Sequence, residues 1–369
     1  MSKRLKVAIL GAGNGGQAIG GWMAFKGCDV GITDLFPENL SSLRELGGVE
    51  LFGTVAAKGN FTIYDNPAEC VRGADIIMMV TAAPGHKGIV EKIAPGLKDG
   101  QILIVNPGYW AHLTIPTYLK NLGYKLNLVY VETESLIYTC RAVEPGKVFI
   151  SYVKNELGIG VYPKSKATWV LNLMKPFYPQ LEEEGNIFKV TLDNINFCLH
   201  PPILLLNSGW AENTRGNWLF YKQGPSPGII RVINEIDTER LNLGKAAHLM
   251  LTPVYELLKK FYTVPKEKSL LSFLRLNPAY QEIKAPSTIN YRYFTEDIPY
   301  GLVPISNLSR VFGLSTPIID SIIQLTSTLL GKDFRKMGLH LSNLGLGGIE
   351  KKELSHKMKG ENEDGNRIF

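Results

Sequence analysis

The sequence predicts an α/β fold in which a doubly wound parallel sheet comes first and a mainly helical domain follows. Three observations lead to this prediction. Strand-like and helix-like segments alternate over the first 130 residues, a glycine-rich loop follows the first strand, and strand signals fade after about residue 190. The chain has 369 residues, which is too long for one ordinary single-core domain and therefore favours two domains.

The first part of the chain supplies the sheet. Its short segments rich in apolar and β-branched residues are typical of strands buried on both faces, and helix-like stretches lie between them. This alternation predicts parallel strands with helices on both faces of the sheet. The predicted strands are Leu5–Leu10, Asp29–Thr33, Asp75–Val80, Gln101–Val105 and Leu126–Val131. The predicted helices are Gln17–Lys26, Pro37–Leu46, Pro67–Gly73, Gly85–Ala94 and Ile115–Leu122.

The pattern changes in the middle of the chain. From Leu136 to Gly160 it indicates strands joined by turns, and after about residue 190 most apolar positions follow a helical period. The charged stretch Glu182–Asn186 marks the predicted boundary. We therefore predict a first domain over residues 1–185, a helical domain over 186–350 and a polar, frayed tail over 351–369. The later predicted helices are Lys166–Phe177, Pro202–Trp218, Ile229–Leu243, Ala246–Phe261 and Pro317–Leu330.

The composition excludes several classes of protein. Hydrophobic residues make up 45% and charged residues 20% of the chain, which is the balance of a soluble globular protein. The net charge of +6 is not concentrated in blocks, so nucleic acid is not an expected partner. No apolar stretch approaches the ~20 residues that span a bilayer, so no membrane is expected either. Because Gly11 cuts the N-terminal apolar run short, the sequence predicts a cytoplasmic protein without a secretory signal.

The cysteines point to reduced thiols. The chain has four of them, far apart and without a CxxC spacing. Such a distribution indicates neither a metal site nor a disulfide framework. We therefore expect no metal.

The stretch GAGNGG after the first strand predicts a phosphate-binding turn. Gly11, Gly13 and Gly16 satisfy the GxGxxG pattern, with Asn14 and Gly15 inside it. The first glycine permits the tight turn, the second lets the backbone approach a pyrophosphate, and the third lets helix and strand pack closely. The start of the following helix then offers N–H groups and a positive dipole to the phosphates. A strand before the motif and a helix after it are the context of a dinucleotide-binding, or Rossmann, domain.

Asp34 indicates which dinucleotide is bound. It ends the second predicted strand, 18 residues after Gly16, where an acid would accept hydrogen bonds from the ribose hydroxyls. A carboxylate there disfavours the 2′-phosphate of NADP, and no arginine follows it directly. NAD is therefore the favoured cofactor and NADP the less favoured one. The alternative is a glycine turn in an unrelated α/β domain, with Asp34 a solvated strand end.

The loop after the third predicted strand, VTAAPGHKG, also ends at the ligand-binding edge of such a sheet. Thr81, Pro84 and His86 are therefore candidates to border the nicotinamide. An ordinary strand-to-helix connection with Pro84 near the start of its helix explains the same residues.

Two clusters in the second half carry chemistry. His200 precedes two prolines, which disfavours the α conformation and predicts a position at the start of the helix beginning near Pro202. Further on, Arg292 and Asp297 lie in the stretch NYRYFTEDIPYGLVP. A guanidinium suits a carboxylate ligand, and a carboxylate beside a histidine fixes its tautomer. A structural histidine and an ordinary surface ion pair are the alternatives.

Taken together, these stretches resemble the opine dehydrogenase family, the group of octopine and nopaline dehydrogenases. The resemblance runs across almost the whole chain in a consistent order. It rests on GAGNGG, the loop at Pro84–His86, ETESLIYTCR from Glu132 to Arg141, the histidine–proline step at His200, IDTERLNLGKA from Ile236, and RYFTEDIPYGLVP from Arg292.

The resemblance implies a reaction and roles for particular residues. Family members couple the amino group of an amino acid to a 2-keto acid and reduce the resulting imine with a nicotinamide cofactor. Carried over to this chain, His200 would be the acid–base group and Asp297 would orient it. Arg292 would bind a substrate carboxylate, and Asn196 would line the same cleft. A homodimer would follow if an apolar helix face were left exposed.

Two other functions stay open at this point. A 2-hydroxy acid or ketopantoate-type dehydrogenase has the same two-domain plan and would reduce a keto acid without an amine. A protein that binds NAD without turnover would leave the clusters at His200 and Arg292 structural.

Overall fold

The strands form two sheets in a computed structural model, which describes residues 4–144 and 146–360 without the side chain of Ser42. Numbered in chain order, they are β1 Lys6–Leu10, β2 Asp29–Thr33, β3 Gly48–Gly53, β4 Ala57–Asn60, β5 Thr62–Ile63, β6 Ile76–Met79, β7 Ile102–Val105, β8 Val129–Thr133, β9 Tyr138–Glu144, β10 Lys147–Val153, β11 Leu157–Tyr162 and β12 Leu181–Glu183.

The larger sheet has the strand order β12-β11-β8-β7-β6-β1-β2-β5. Its pairings are parallel except for β11, which runs antiparallel to β8. Val7 of the central β1 pairs with Val30 on one side and Ile76 on the other. The carboxyl ends of β1, β6, β7 and β8 therefore meet along one edge, where ligands bind in open α/β sheets.

The smaller sheet has the order β4-β3-β10-β9 and packs against the first helix, α1 (Asn14–Phe25). Glycines make this contact close, since a Cβ on Gly21 would lie 2.4 Å from Cγ1 of Val49. Sequence analysis predicts the strands after Leu136 but misses β3 and β4. The segment of β4, Ala57–Asn60, carries none of the β-branched residues that signal a strand.

Six further helices accompany the sheets: α2 Glu38–Leu46, α3 Pro67–Val71, α4 His86–Ile93, α5 Ala111–Asn121, α6 Ala167–Met174 and α7 Ile187–Leu192. Local signals explain several of their ends. Asn66 caps α3 by accepting the N–H of Ala68, with Pro67 at the first helical position. Gly47 ends α2 in the left-handed conformation.

A single apolar core holds one face of the larger sheet. Side chains of the central strands pack against α3, α4 and α5, and these contacts fix the carboxyl edge of the sheet. The core includes Ala8, Leu10, Ile77, Met79, Leu103, Val105, Ile89, Val90, Ile93, Ile115 and Leu119, all of them 2% exposed or less.

A second compact unit begins at Leu192, and the first ends at Thr191. Its helices are α8 Asn196–Leu205, α9 Ser208–Thr214, α10 Phe220–Gln223, α11 Pro227–Ala246, α12 Val254–Phe261, α13 Leu270–Leu276, α14 Arg292–Thr295, α15 Val303–Val311, α16 Pro317–Leu330, α17 Phe334–Met337 and α18 Lys351–Lys359. A π-helical turn, Ile298–Leu302, precedes α15. The predicted fold class, a mostly parallel sheet followed by a helical domain, is confirmed.

Several predicted boundaries differ from the structure. The predicted helix Pro202–Trp218 is two helices, α8 and α9, and α12 begins eight residues later than the predicted Ala246. Residues 351–359 form a helix with Leu354 and Met358 buried, where the sequence predicted a frayed tail. The rest of that predicted tail, 361–369, lies outside the described residues. None of the described helices is long and apolar enough to cross a membrane.

Candidate functional site

In the first unit, close contacts with backbone atoms require glycine at two positions of the loop after β1. Gly11 has φ +106°, and a Cβ there would lie 2.6 Å from the carbonyl oxygen of Val80. A Cβ on Gly16 would lie 1.8 Å from the carbonyl oxygen of Gly11. Both positions therefore need glycine for the turn and for close packing of α1, as the sequence motif predicts.

The start of α1 fits an anionic ligand. Gly13 is the N-cap and offers no side chain to the N–H groups of the first turn, which also carries no acid. A Cβ on Gly13 would meet no protein atom within 4 Å, whereas one on Gly15 would meet Cγ1 of Val80 at 2.9 Å. The uncovered N–H groups and the positive end of the helix suit a pyrophosphate. Asn14 turns its side chain elsewhere, since its Oδ1 accepts the N–H of Ala142 at 2.9 Å.

Asp34 follows β2 directly and closes the same loop. Its Oδ2 accepts the N–H of Ala12 at 2.6 Å, and its Oδ1 accepts the N–H of Phe36 at 2.9 Å. Each carboxylate oxygen has a second lone pair, so the group retains the capacity to accept from ribose hydroxyls. The residues of this loop therefore fit a dinucleotide.

Polar atoms without partners lie just beyond β6 and β7. Thr81 Oγ1 and Asn106 Nδ2 are buried and have no hydrogen-bond partner among the described residues. Such orphaned donors and acceptors suit a ligand that carries an amide, as nicotinamide does. Pro84 lies exposed in a 3₁₀ turn that leads into α4, which is the ordinary role of a proline at a helix start.

His86 begins α4 and is buried. Burial lowers its pKa to about 4. A hydrogen bond with the backbone of Thr81 and the charge of Glu132 raise this pKa, but burial outweighs them. The imidazole is therefore neutral at pH 7.

A second histidine of the first unit, His112 on α5, is paired with Glu132 at the end of β8. Oε1 of Glu132 accepts from the backbone N–H of His112 at 2.8 Å and pairs with its Nδ1 at 2.7 Å. The Thr191 hydroxyl donates to the other carboxylate oxygen. Burial would raise the pKa of Glu132, but the charge and hydrogen bonds of His112 and Thr191 outweigh it and lower that pKa.

In the second unit, His200 lies inside α8 rather than at its start. The helix begins at Asn196, so both Pro201 and Pro202 fall in its interior and remove two helical hydrogen bonds. Tertiary packing overrides this local cost, because every residue from Phe197 to Leu204 is buried. The predicted position of His200 is therefore corrected from the start of the helix to its middle.

Three side chains fix the imidazole of His200. Nδ1 pairs with Oδ2 of Asp297 at 2.8 Å, and Nε2 pairs with the hydroxyl of Tyr221 at 2.7 Å. The ring of Tyr293 stacks on the imidazole with centroids 4.0 Å apart. The His200 side chain is 7% exposed and that of Asp297 1%. With an ionised Asp297, Nδ1 carries a proton in either charge state, and Nε2 is the nitrogen that can gain or lose one.

Aromatic rings surround this pair. Tyr221 stacks on Tyr280 at 4.1 Å, and Tyr280 lies edge-on to Tyr262 at 5.2 Å. Burial, together with neighbouring tyrosines and Asp297, raises the pKa of Tyr221 well above its usual value. A row of rings continues from Tyr293 outwards through Phe220, Trp218 and Trp210.

Arg292 and Asp297 come from the predicted stretch, at the start of the short helix α14 and just after its end. Asp297 immediately precedes the π-helical turn, a geometry that is frequent at functional sites. Arg292 begins α14, and its Nε lies 3.1 Å from Oε2 of the buried Glu296. The Arg292 side chain is 48% exposed. Asn196 is the first residue of α8, one turn before His200.

A buried ionic cluster of α11 and the chain before α8 lies next to α8. Arg240 of α11 donates to Asp237 and Asp193, at 2.6 Å in each case, and to the carbonyl of Leu192 at 3.1 Å. Burial lowers the pKa of Arg240, but the two aspartates outweigh it and raise that pKa. Asp237 and Arg240 belong to the stretch IDTERLNLGKA. This part of the stretch therefore lies around the buried Cys198 of α8.

Sequence reasoning missed Tyr221, Tyr293 and the pair of His112 with Glu132. Tyr293 adjoins Arg292 in a stretch that the sequence did single out, so its neighbourhood was a signal. No signal in the sequence pointed to Tyr221, because only the fold brings it to His200. In residues 4–144 and 146–360, no group of three or more histidines, cysteines, aspartates or glutamates is placed to hold a metal ion.

Comparison with known proteins identifies the family. A model of the α-helical domain of NAD/NADP octopine/nopaline dehydrogenases matches residues 183–330, and a model of the NAD-binding domain of 6-phosphogluconate dehydrogenase matches residues 6–116. An opine dehydrogenase of Arthrobacter sp. (strain 1C) is 32% identical over 345 residues, which are 93% of this chain and 95% of that protein. The chain belongs to the opine dehydrogenase family. The protein ocs of Agrobacterium vitis is 27% identical over 96% of this chain and 99% of its own length.

The structural comparison shows the same fold. A solved octopine dehydrogenase in complex with NADH and L-arginine superposes with a TM-score of 0.75 at 20% identity, over 96% of this chain and 98% of that one. As an opine dehydrogenase, the protein is an NAD(P)-dependent oxidoreductase that acts on CH–NH bonds. NAD(H) is its main cofactor, and reductive condensation of an amino acid with a 2-keto acid is its reaction. The predicted family, enzyme class and cofactor are confirmed.

Proposed function

We propose that this opine dehydrogenase joins an L-amino acid to a pyruvate-like 2-keto acid, with His200 as its acid–base group. The observation that carries the proposal is the buried pair of His200 and Asp297. Asp297 fixes the proton on Nδ1 at 2.8 Å, which reserves Nε2 for proton exchange. Both substrates are small molecules, and the related octopine dehydrogenase was solved with NADH and L-arginine.

Arg292 binds the carboxylate of the keto acid in this proposal. A guanidinium has five N–H donors in a planar fork that matches two carboxylate oxygens. Glu296, which is buried, pairs with Nε of Arg292 at 3.1 Å and so orients that fork. Asn196, on the same helix as His200, supplies a further polar side chain to the substrates.

His200 then acts on the adduct of the two substrates. The amine adds to the keto carbon and forms a carbinolamine, whose hydroxyl must leave as water. The imidazolium of His200 supplies the proton for that departure, and the nitrogen lone pair forms the C=N bond. In the reverse direction neutral His200 takes the proton back.

The first unit supplies the cofactor site. The N–H groups at the start of α1 hold the pyrophosphate, Gly13 leaves room for it, and Asp34 accepts from the ribose hydroxyls. When bound there, the reduced cofactor would supply the hydride that reduces the iminium carbon. Since Asp34 would repel a 2′-phosphate, we expect NADH to be preferred to NADPH.

The test is oxidation of NADH followed at 340 nm, with pyruvate present and with or without a panel of L-amino acids. Loss of absorbance only with both substrates supports the proposal, and the fastest amine names the product. Loss with pyruvate alone would contradict it and indicate a 2-hydroxy acid dehydrogenase. Binding of NADH without loss for any keto acid and amine would contradict catalysis altogether.

Location and assembly complete the proposal. We expect a cytoplasmic protein, because its four cysteines are free thiols and three of them are buried. We also expect a homodimer, because the smaller sheet exposes Phe52, Phe149 and Val143 by 37%, 38% and 51%. Light scattering after size exclusion, where a monomer would contradict the expectation, measures the assembly.

A further inference from the structure

Both ring nitrogens of His200 already have a partner inside the second unit. Asp297 is 2.8 Å from Nδ1, and the hydroxyl of Tyr221 is 2.7 Å from Nε2. An imidazole nitrogen has a single position in the ring plane, for either one proton or one lone pair. As long as Tyr221 occupies that position, no substrate atom can bond to Nε2 directly.

The ring of Tyr221 is held in place on several sides. It stacks on Tyr280 with centroids 4.1 Å apart and an angle of 17°. Phe220 meets it edge-on at 5.0 Å and 88°. The residue is 5% exposed. Moving the hydroxyl away from Nε2 would disturb these buried aromatic contacts.

We infer, resting on the proposed function, that Tyr221 relays the proton between Nε2 of His200 and the substrate. In the dehydration step the phenol gives its proton to the leaving hydroxyl of the carbinolamine. The bond from Nε2 to its proton breaks at the same time, and that proton passes to the phenol oxygen. The C–O bond breaks, the C=N bond forms from the nitrogen lone pair, and water leaves. Tyr221 ends as it began, and His200 ends neutral.

The charges around Tyr221 explain why both protons move together. Its burial, the neighbouring Tyr293 and Tyr262, and the carboxylate of Asp297 raise the pKa of Tyr221, while Arg292 lowers it. A free phenolate is therefore too costly to accumulate between two separate transfers. Tyr293, which stacks on His200, also has a raised pKa through burial and does not ionise at neutral pH.

The deciding variant is Tyr221→Phe, which keeps the ring and removes only the hydroxyl. With the relay we expect kcat to fall by about 10²-fold, the lower end of the effect of losing an acid–base group, with little change in KM. In the alternative, the substrate displaces the Tyr221 hydroxyl and bonds Nε2 directly. Tyr221→Phe then removes a group that competes with the substrate for Nε2. An unchanged or higher kcat/KM would then overturn the relay.

Two control variants distinguish failure of the relay from failure of the proposed function. Tyr255→Phe removes a hydroxyl that bonds Glu267 and does not touch His200, so its kcat should stay at the wild-type value. His200→Asn tests the acid–base role itself. A large loss in His200→Asn with none in Tyr221→Phe would reject the relay and leave the proposed function standing.

A solvent-isotope experiment tests the relay on the wild-type enzyme, without any substitution. The kcat is determined in mixtures of H₂O and D₂O. Two protons moving in one step give a curved dependence on the deuterium fraction. A straight line, which one moving proton or none produces, would overturn the relay.

Discussion

Each unit of this protein holds a histidine whose Nδ1 pairs with a buried carboxylate. In the first unit His112 pairs with Glu132 at 2.7 Å, and in the second His200 pairs with Asp297 at 2.8 Å. The two pairs are nearly identical in length, and both carboxylates are 1% exposed. What differs is the second ring nitrogen. Nε2 of His112 is buried without a hydrogen-bond partner among the described residues, whereas Nε2 of His200 bonds the Tyr221 hydroxyl.

The comparison teaches that a histidine–carboxylate pair is not by itself an acid–base centre. The His112 side chain is 0% exposed and lies edge-on to Phe188. The His200 side chain is 7% exposed, and its Nε2 bonds the hydroxyl of Tyr221. We therefore expect the first pair to serve stability and the second, as proposed, to serve chemistry. The same substitution at each position separates these roles.

The largest effect is expected from His200→Asn. The amide can still donate to Asp297, but it cannot carry a proton to the substrate. We expect kcat for NADH oxidation with both substrates to fall by about 10²–10⁴-fold. His340→Ala, at an exposed histidine of the same unit, should keep wild-type kcat. A kcat within threefold of wild type in His200→Asn would remove this residue from the chemistry.

The matched variant His112→Asn should act on stability instead. The substitution replaces the imidazole whose Nδ1 pairs with the buried Glu132 carboxylate, and hydrogen bonds to charged groups contribute about 1.5–3 kcal/mol. We expect the free energy of unfolding in urea to fall by about that amount, with kcat of the folded enzyme little changed. Loss of kcat with unchanged stability would reverse the assignment of the two pairs.

Arg292→Lys should change the use of one substrate. Lysine keeps the positive charge near Glu296 but lacks the planar fork. We expect the KM for the keto acid to rise by about 10-fold, roughly the loss of one charge-assisted hydrogen bond, with the KM for the amine nearly constant. Arg310→Lys, at a comparably exposed arginine paired with Asp320, is the control. An equal rise in both KM values would argue against a keto-acid site at Arg292.

The smallest effect concerns pH and Glu132. Because its pKa is lowered in the folded protein, the ionised carboxylate stabilises the fold above its ordinary pKa of 4.5. That contribution is lost as the pH falls further. We therefore expect the stability difference between wild type and Glu132→Gln to shrink below pH 4.5 in urea titrations. Glu91→Gln, at a half-exposed glutamate, is the control variant. A constant difference for Glu132→Gln would contradict the lowered pKa.

Much of the first unit could be predicted from the sequence. The central strands are continuous apolar runs, and the glycines at 11 and 16 form a recognisable motif directly after the first of them, with Gly16 packed against Gly11 itself. Such local signals are strong because hydrophobic period and turn chemistry agree. The short β4 gave no such signal, since its pairing with β3 and its packing on α1 define it rather than its own residues.

The candidate site was predictable only in part. His200 and Asp297 lie 97 residues apart, and the family resemblance suggested their association before the structure gave its geometry. The pre-proline rule misplaced His200, because a fully buried helix tolerates prolines that an exposed one would not. Tyr221 lies in a four-residue helix with no motif around it. Its role depends on ring packing among distant residues, which no local pattern encodes.

The row of rings that ends at His200 has an optical consequence. Trp210 and Trp218 lie face to face with centroids 4.5 Å apart and planes 6° from parallel. Indoles this close couple electronically, so their near-ultraviolet circular dichroism depends on their spacing. Packing through Phe220 and Tyr293 links that chromophore to the imidazole. We therefore expect the near-ultraviolet circular dichroism of the two indoles to report packing changes at the histidine, whether or not a nicotinamide is oxidised.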